Sequence, residues 1–363
     1  MKVRDRYQQL EDAWKARLED KYINSTPLDA YADLNNFLGG IPKGVVIGVT
    51  SDANVGKTPF VKSIVYSTFR SKERNPNIQT KILYFLIEER KDKFIDRCFT
   101  HFYKERYNTI LPYSKLLSNS KTPFTPAELK QIEELVEPVS KFIKDINLFD
   151  NLYDPDEIYD VCCQYLEKRG KIEFREVNKI KYIQSFKPHN PLEHYIIIVD
   201  HCNDLIYDGG FKAKHDALTR WCTVYSALNL SKVANATVIN VLQQSLDKTQ
   251  YTSKGTKIIS KLEPSKEGLG DNKQIYRSLD ILLGLFAPSF FQIEEYNNYD
   301  ITQLHHNYRA LLLLKNRDGK PRGTIDLILD SNTFKFTELP KASISPTGDI
   351  TPELRKIYET YRY

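Results

Sequence analysis

The chain has 363 residues, 41% of them apolar, enough for one large α/β domain or two small ones with a substantial buried core. Its 52 basic and 47 acidic residues leave a net charge of +5, compatible with a polyanionic partner but too mild to require one. Five cysteines without C-x-x-C or zinc-ligand spacing exclude a disulfide framework and a zinc module, and no apolar run is long enough to span a bilayer, so a cytoplasmic protein is expected.

In chain order, Val3, Tyr7, Leu10, Trp14, Leu18 and Tyr22 recur at spacings of three and four, which predicts a helix over 3–22 with one apolar stripe. That stripe needs a surface to lie on, either its own domain or a neighbouring subunit. Asn24-Ser25-Thr26-Pro27 then breaks the pattern. An apolar strand over 44–50 runs into Ser51-Asp52-Ala53-Asn54-Val55-Gly56-Lys57-Thr58, followed by a helix over 57–71. This reads as a phosphate-binding loop of the form G-x-x-x-x-G-K-[ST], in which backbone N–H groups wrap phosphate, the lysine neutralises it and the hydroxyl holds Mg²⁺. Ser51 stands where the first glycine belongs, and serine accepts the backbone of a tight turn less easily.

A second strand, 81–87, ends in Glu88-Glu89, and helices are expected over 91–107 and 126–145, the latter opened by a capping arrangement of Thr125, Pro126 and Glu128. A short strand at 146–149 and a helix at 155–168 lead to a polar hairpin or insertion over 170–193. The run Tyr195-Ile196-Ile197-Ile198-Val199-Asp200 is a buried strand ending on a carboxylate. A helix over 215–234 and a strand over 237–242 continue the alternation, which implies a parallel sheet. Residues 245–276, with Lys248, Lys254, Lys257, Lys261 and Lys266 among small polar residues, read as a long mobile loop. Strands over 279–286, 309–315, 323–329 and 334–337 and a helix over 352–362 complete the pattern.

Ligands of an open parallel sheet collect at the carboxyl ends of its strands. The loop, Glu88 and Asp200 all follow strands, so one nucleotide could meet all three. Taken singly, Asp200 is as well suited to cap a helix as to serve a metal, and Glu88-Glu89 could be a solvated helix start. On spacing alone, Lys315-Asn316-Arg317 before Asp318-Gly319 is a polar hairpin turn. Cys162, Cys163 and the seven histidines show no ligand spacing and are assigned to packing and surface.

The order of these features, over roughly residues 25–340, resembles the RecA-like ATPase domain of DnaB-type replicative helicases. The specific parts are Leu83-Tyr84-Phe85-Leu86-Ile87-Glu88, Ile196 to Asp200 followed by Leu205-Ile206, Val241-Leu242-Gln243-Gln244-Ser245, Ser278-Leu279-Asp280, and Lys315-Asn316-Arg317-Asp318-Gly319 with Gly323 and Phe334-Lys335-Phe336. The resemblance implies a P-loop core with a mainly parallel sheet flanked by helices. It divides the chain into a linker helix at 1–24, the ATPase domain at 25–340 with additional segments near 100–145 and 170–193, and a tail helix at 341–363.

It also implies ATP and Mg²⁺ as cofactors and hydrolysis coupled to 5′–3′ movement along single-stranded DNA in replication. Ser51, Ala53, Asn54, Val55, Gly56, Lys57, Thr58 and Pro59 would line the nucleotide, Thr58 and Asp200 would hold the metal, and Glu88 would be the catalytic base. Gln243 or Gln244 would sense the terminal phosphate, and Lys315 and Arg317 would reach into a neighbouring subunit's site, Arg317 as the arginine finger. A six-membered ring follows, with the lysine-rich loop facing DNA in its channel, helix 3–22 docked on the adjacent subunit, and a primase or helicase loader as an implied partner. The family's helical primase-binding domain has no counterpart in this sequence, which suits a phage or mobile-element replication protein in a host cytoplasm. A RecA/KaiC-like assembly or loading ATPase acting on a protein partner would look nearly the same.

Overall fold

The computed structural model describes residues 3–19, 21, 24–117, 121–177, 180–207, 211–245, 259–269, 273–319, 322–342 and 351–361. Helix α1 (Val3–Leu18) precedes β1 (Ser25–Thr26), α2 (Ala32–Leu38) and β2 (Ile41–Pro42), which pairs with β1. Next come β3 (Val46–Ser51), α3 (Lys57–Arg74), β4 (Thr80–Leu86), α4 (Lys91–Tyr107) and the short α5 (Tyr113–Leu116). Helices α6 (Pro126–Glu133) and α7 (Val136–Lys144) lead to β5 (Ile146–Phe149), α8 (Pro155–Glu167), the hairpin β6 (Gly170–Val177) and β7 (Ile180–Pro188), and then β8 (His194–Asp200). Helix α9 (Phe211–Arg220) runs into a π-helix, Trp221–Ser231, before β9 (Thr237–Gln243), α10 (Ile259–Leu262), α11 (Lys273–Ser278) and β10 (Ile281–Phe286). The last elements are the ribbon β11 (Glu295–Tyr296) and β12 (Tyr299–Asp300), α12 (Ile301–Leu304), β13 (Tyr308–Asn316), β14 (Thr324–Asp330), β15 (Lys335–Glu338) and α13 (Pro352–Tyr361).

Nine strands form one sheet in the order β15-β14-β13-β10-β3-β9-β8-β4-β5. The six from β10 to β5 are parallel, and β13, β14 and β15 extend one edge antiparallel. Every residue of β3 and β8 is buried, because helices cover both faces and leave no polar side for the chain to alternate toward. On one face Phe60, Val61 and Ile64 of α3 and Phe94 of α4 pack on Ile47, Val49 and Tyr84. On the other, Ile158 and Cys162 of α8 and Trp221 and Tyr225 of the π-helix pack on Val46, Leu83, Ile197 and Val238. All five cysteines are buried and unpaired. In a third cluster, Leu354 and Tyr358 of α13 pack with Leu304, Tyr308 and Phe286.

The departures from the sequence pattern have local causes. The helix expected over 126–145 is two helices, because Pro138 lacks the N–H that would bond to Glu134 and its ring crowds that carbonyl. The capping box of Thr125 and Glu128 is formed as expected. Helix α1 stops at Leu18, where Glu19 and Lys21 both turn their N–H groups back to the Ala16 carbonyl. The segment 215–234 widens into a π-helix that aims Trp221, Cys222, Tyr225, Ser226 and Asn229 at the sheet, and Trp221 Nε1 donates to Asn240 Oδ1 at 2.8 Å. Of the stretch read as one long loop, the described residues 259–269 and 273–276 hold short helices anchored by buried Leu262 and Ile275. Lys248, Lys254 and Lys257 lie outside the described residues. Helix α2 went unread, although Leu34, Phe37 and Leu38 before left-handed Gly39 carry its signature.

Candidate active site

The carboxyl ends of β3, β9, β8 and β4 lie side by side, with Ser51 level with Gln243 and Leu86 level with Asp200. Residues 52–56 cross from β3 into α3. Asn54 (φ 61°) and Gly56 (φ 115°) carry the left-handed turns, while Ser51 stays in strand geometry at the end of β3. The position read as a missing glycine therefore demands no glycine. Ser51 is fully buried and its hydroxyl donates to the Asp52 carbonyl at 2.7 Å. Gly56 lies 3.4 Å, measured from where a Cβ would stand, from Leu329 and Phe336.

The N–H groups of Ala53, Asn54, Val55, Gly56, Lys57 and Thr58 have no acceptor among the described residues, and the first turn of α3 points its positive end into the same loop. Pro59 has no N–H to add, and Phe60 N–H is the first to bond within the helix, to Gly56 O at 3.0 Å. Such a run of free donors is an anion cradle. Lys57 folds back across it, its Nζ 3.2 Å from Asp52 O and 3.3 Å from Ser51 O. Burial lowers its pKa, opposed by Glu88, Asp200 and Asp52.

Thr58 Oγ1 donates to Asp200 Oδ1 at 2.9 Å, and the Tyr84 hydroxyl donates to Asp200 Oδ2 at 2.8 Å. Asp200 is 4% exposed. A hydroxyl and a carboxylate oxygen in contact beside an anion cradle are the hard donors that Mg²⁺ prefers, so these residues fit that ion. The two glutamates after β4 part company. Glu89 pairs with Lys62, while Glu88 turns toward His201, whose Nδ1 lies 2.9 Å from Glu88 Oε1 and 3.6 Å from Asp204 Oδ2. His201 is held there by a left-handed backbone, φ 79°. Partial burial and then the Asp204 carboxylate, with Asp200 behind it, raise the Glu88 pKa to about 7. Glu88, Thr58, Asp200, Lys93, Arg97 and Tyr113 line one cleft of about 380 Å³. The Arg97 guanidinium lies between two rings, 3.3 Å from the centre of Tyr113 and 4.0 Å from that of Phe334.

Gln244 is buried, and its Nε2 donates to Thr50 Oγ1 and to Ser265 O, both at 3.0 Å. The Gln243 side chain has no partner among the described residues. Lys261 and Lys266 are exposed, the latter 3.6 Å from Glu267.

Lys315 and Arg317 stand elsewhere. Strand β13 runs against β10, so its end meets the beginning of β3, about 16 Å of strand away from the phosphate loop. Lys315 Nζ donates to the carbonyls of Tyr276 and Leu279 at 2.7 and 2.6 Å, and Arg317 Nη1 lies 2.6 Å from Asp280 Oδ1. The loop, Glu88 and Asp200 are thus brought together, and the Lys315/Arg317 pair is not. Sequence reading missed Tyr84, His201, Asp204 and Arg97. Of these only the polar run His201-Cys202-Asn203-Asp204 directly after an apolar strand offered a signal.

No protein-family model and no curated protein matches the sequence. Among solved structures, the ATPase domain of G40P matches with a TM-score of 0.63 at 17% identity, covering 93% of this chain and 97% of that one. A DnaB-like replicative helicase, described with its interactions with primase, matches with a TM-score of 0.63 at 16% identity, covering 94% of this chain and 67% of that one. The chain therefore has the RecA-like α/β fold of the ATPase domains of DnaB-like replicative helicases.

Proposed function

We propose that this protein is a Mg²⁺-dependent ATPase of the DnaB type, working as a homo-oligomeric ring of six copies that moves along single-stranded DNA. The observation that carries this reading is the opposition of two half-sites: free N–H groups, Lys57, Thr58, Asp200 and Glu88 at one end of the sheet, and Lys315 with Arg317 at the other. The loop half alone would turn over slowly, because a trans arginine adds about a thousandfold or more, and a head-to-tail ring would join the loop of one copy to the arginine of the next.

In this reading the N–H groups of residues 53–58 and Lys57 grip the β- and γ-phosphates. Thr58 and Asp200 would hold Mg²⁺, which would supply charge neutralisation on the transferring phosphoryl group. Glu88 takes the proton of the attacking water, and His201 fixes the glutamate's position. Arg317 and Lys315 of the neighbouring copy bring positive charge to the γ-phosphate. Gln244 carries the phosphate state to segment 259–269, supported by its bonds to Thr50 and Ser265. Helix α1 is the linker that docks on the next copy, supported by the exposure of Val3, Tyr7, Leu10, Trp14 and Leu18 along one stripe. Residues 25–340 then form the ATPase domain and 341–363 its tail helix, while Lys248, Lys254, Lys257, Lys261 and Lys266 track DNA phosphates.

The test is ATP turnover with and without single-stranded DNA, beside strand displacement on a forked duplex and electron micrographs with nucleotide. DNA-stimulated turnover, 5′–3′ displacement and six-membered rings are expected. ATP turnover with neither DNA stimulation nor displacement would favour an assembly or loading ATPase acting on a protein.

A further inference from the structure

Arg309, the second residue of β13, is 3% exposed. Its Nε donates to Val55 O at 2.6 Å, and its Nη1 donates to Tyr308 O at 2.8 Å and to His306 O. All three acceptors are neutral carbonyls, and no carboxylate among the described residues pairs with it. Burial alone accounts for its lowered pKa, about 10, and the Phe290 ring centre lies 5.3 Å from the guanidinium. A buried cation with no counter-charge is a costly feature for a fold to keep. Simple packing of the β13–β14 edge would be served as well by an apolar side chain.

The acceptor that matters is Val55, inside the phosphate loop and 254 residues away in sequence. A trans peptide is planar, so a carbonyl held toward Arg309 turns the N–H of the next residue, Gly56, the opposite way. That N–H is one of the free donors of the anion cradle. Glycine at φ 115° has little steric preference of its own, so the orientation of this peptide has to be set from outside. The same contact leaves an unneutralised positive charge one hydrogen bond behind the loop backbone, where water does not screen it.

We propose that Arg309 is a positioning residue of the phosphate loop, clamping the Val55 carbonyl so that the Gly56 N–H stays aimed at bound phosphate and adding an uncompensated positive charge behind it. The role rests on the phosphate-loop reading above. The negative charge that Arg309 lacks among the described residues is supplied by the β- and γ-phosphates of a nucleoside di- or triphosphate, which this residue meets only through the loop.

The experiment compares wild type, Arg309→Lys and Arg309→Gln as full chains, titrating a fluorescent ATP analogue and ADP and recording each melting curve without nucleotide. The lysine variant keeps the charge and loses the fork, and about threefold weaker binding is expected. The glutamine variant keeps a donor and loses the charge, and binding at least about tenfold weaker is expected, with the Michaelis constant for ATP moving more than kcat. A purely structural role would lower the melting temperature and leave the affinity of the folded protein untouched. Wild-type affinity in the lysine variant overturns the proposal even where the glutamine variant does not fold, as does wild-type affinity in a folded glutamine variant. Failure of the wild type itself to bind nucleotide would overturn the phosphate-loop reading instead.

Discussion

Arg317 is paired with Asp280 of its own chain at 2.6 Å, at the end of the strands opposite the phosphate loop. Half of the arginine side chain is exposed, and an ion pair of that kind contributes roughly 0–1 kcal/mol, so releasing the guanidinium to the phosphate of the proposed neighbouring copy would cost little. Lys57→Ala and Arg317→Ala should each reduce ATP turnover by about a thousandfold or more. In the proposed shared site the first variant removes the loop half and the second the arginine half, so mixed assemblies should regain sites that pair an intact Lys57 with an intact Arg317. Turnover of mixtures that never exceeds the sum of the two separate variants would count against a shared site.

Asp200 spends one carboxylate oxygen on Thr58 and the other on Tyr84. The tyrosine bond fixes the carboxylate so that the first oxygen faces Thr58, where the proposed Mg²⁺ would bind. Asp200→Asn should raise the Mg²⁺ concentration for half-maximal turnover by about tenfold or more, and Tyr84→Phe should raise it by a smaller factor of about three. Magnesium titrations of turnover at saturating ATP read both effects. Equal Mg²⁺ dependence in all three proteins would remove Asp200 from the metal's surroundings.

Glu88 has its pKa raised to about 7, first by partial burial and then by Asp204, and only its ionised form can accept a proton from water. Turnover should therefore fall as pH drops through about 7. Asp204→Asn replaces a neighbouring negative charge by a neutral amide, which favours ionisation of Glu88 and should move the acid limb to lower pH. A limb that stays in place in this variant would mean that another group governs it. Glu88→Gln should abolish turnover while leaving nucleotide binding near that of the wild type.

The architecture was legible because its signals are local and strong. β8 carries the continuous apolar run Tyr195–Val199, and β3 and β9 are buried along nearly their whole length, which only a sheet covered on both faces can hold; Glu88 and Asp200 directly follow apolar runs. Less of the site could be read, since its remaining members meet only in three dimensions. Tyr84 looks like one more core residue of β4 until its hydroxyl is found on Asp200, and His201 reaches Glu88 through a left-handed backbone that no propensity announces. The concern over Ser51 came from matching a pattern rather than a conformation, for the left-handed turns fall at Asn54 and Gly56. Plain local signals were also available at Leu34, Phe37, Leu38 and Gly39 for α2 and at Pro138, which divides a helix where its missing N–H dictates.

Gln244 and Gln243 were equivalent in sequence, and the structure separates them by what their amides touch. Gln244 ties Thr50, at the base of the phosphate loop, to Ser265, and Ser265 N–H returns a bond to Gln244 Oε1 at 3.3 Å. Gly268 lies so close that a Cβ there would stand 1.5 Å from Gln244 Oε1. Gln244→Ala leaves the Thr50 hydroxyl and the Ser265 backbone without these partners and removes the side-chain bridge between them, while the backbone bonds of Gln244 to Ser51 and of Ser245 to Gly268 stay. DNA stimulation of turnover should fall by about tenfold or more, with turnover in the absence of DNA changed by no more than about threefold. Gly268→Ala should reproduce this behaviour, since the added methyl displaces the amide, whereas Gln243→Ala should leave both rates near those of the wild type. Loss of DNA stimulation in Gln243→Ala, with Gln244→Ala and Gly268→Ala unaffected, would assign the coupling to the other glutamine and reduce the Gln244 network to packing.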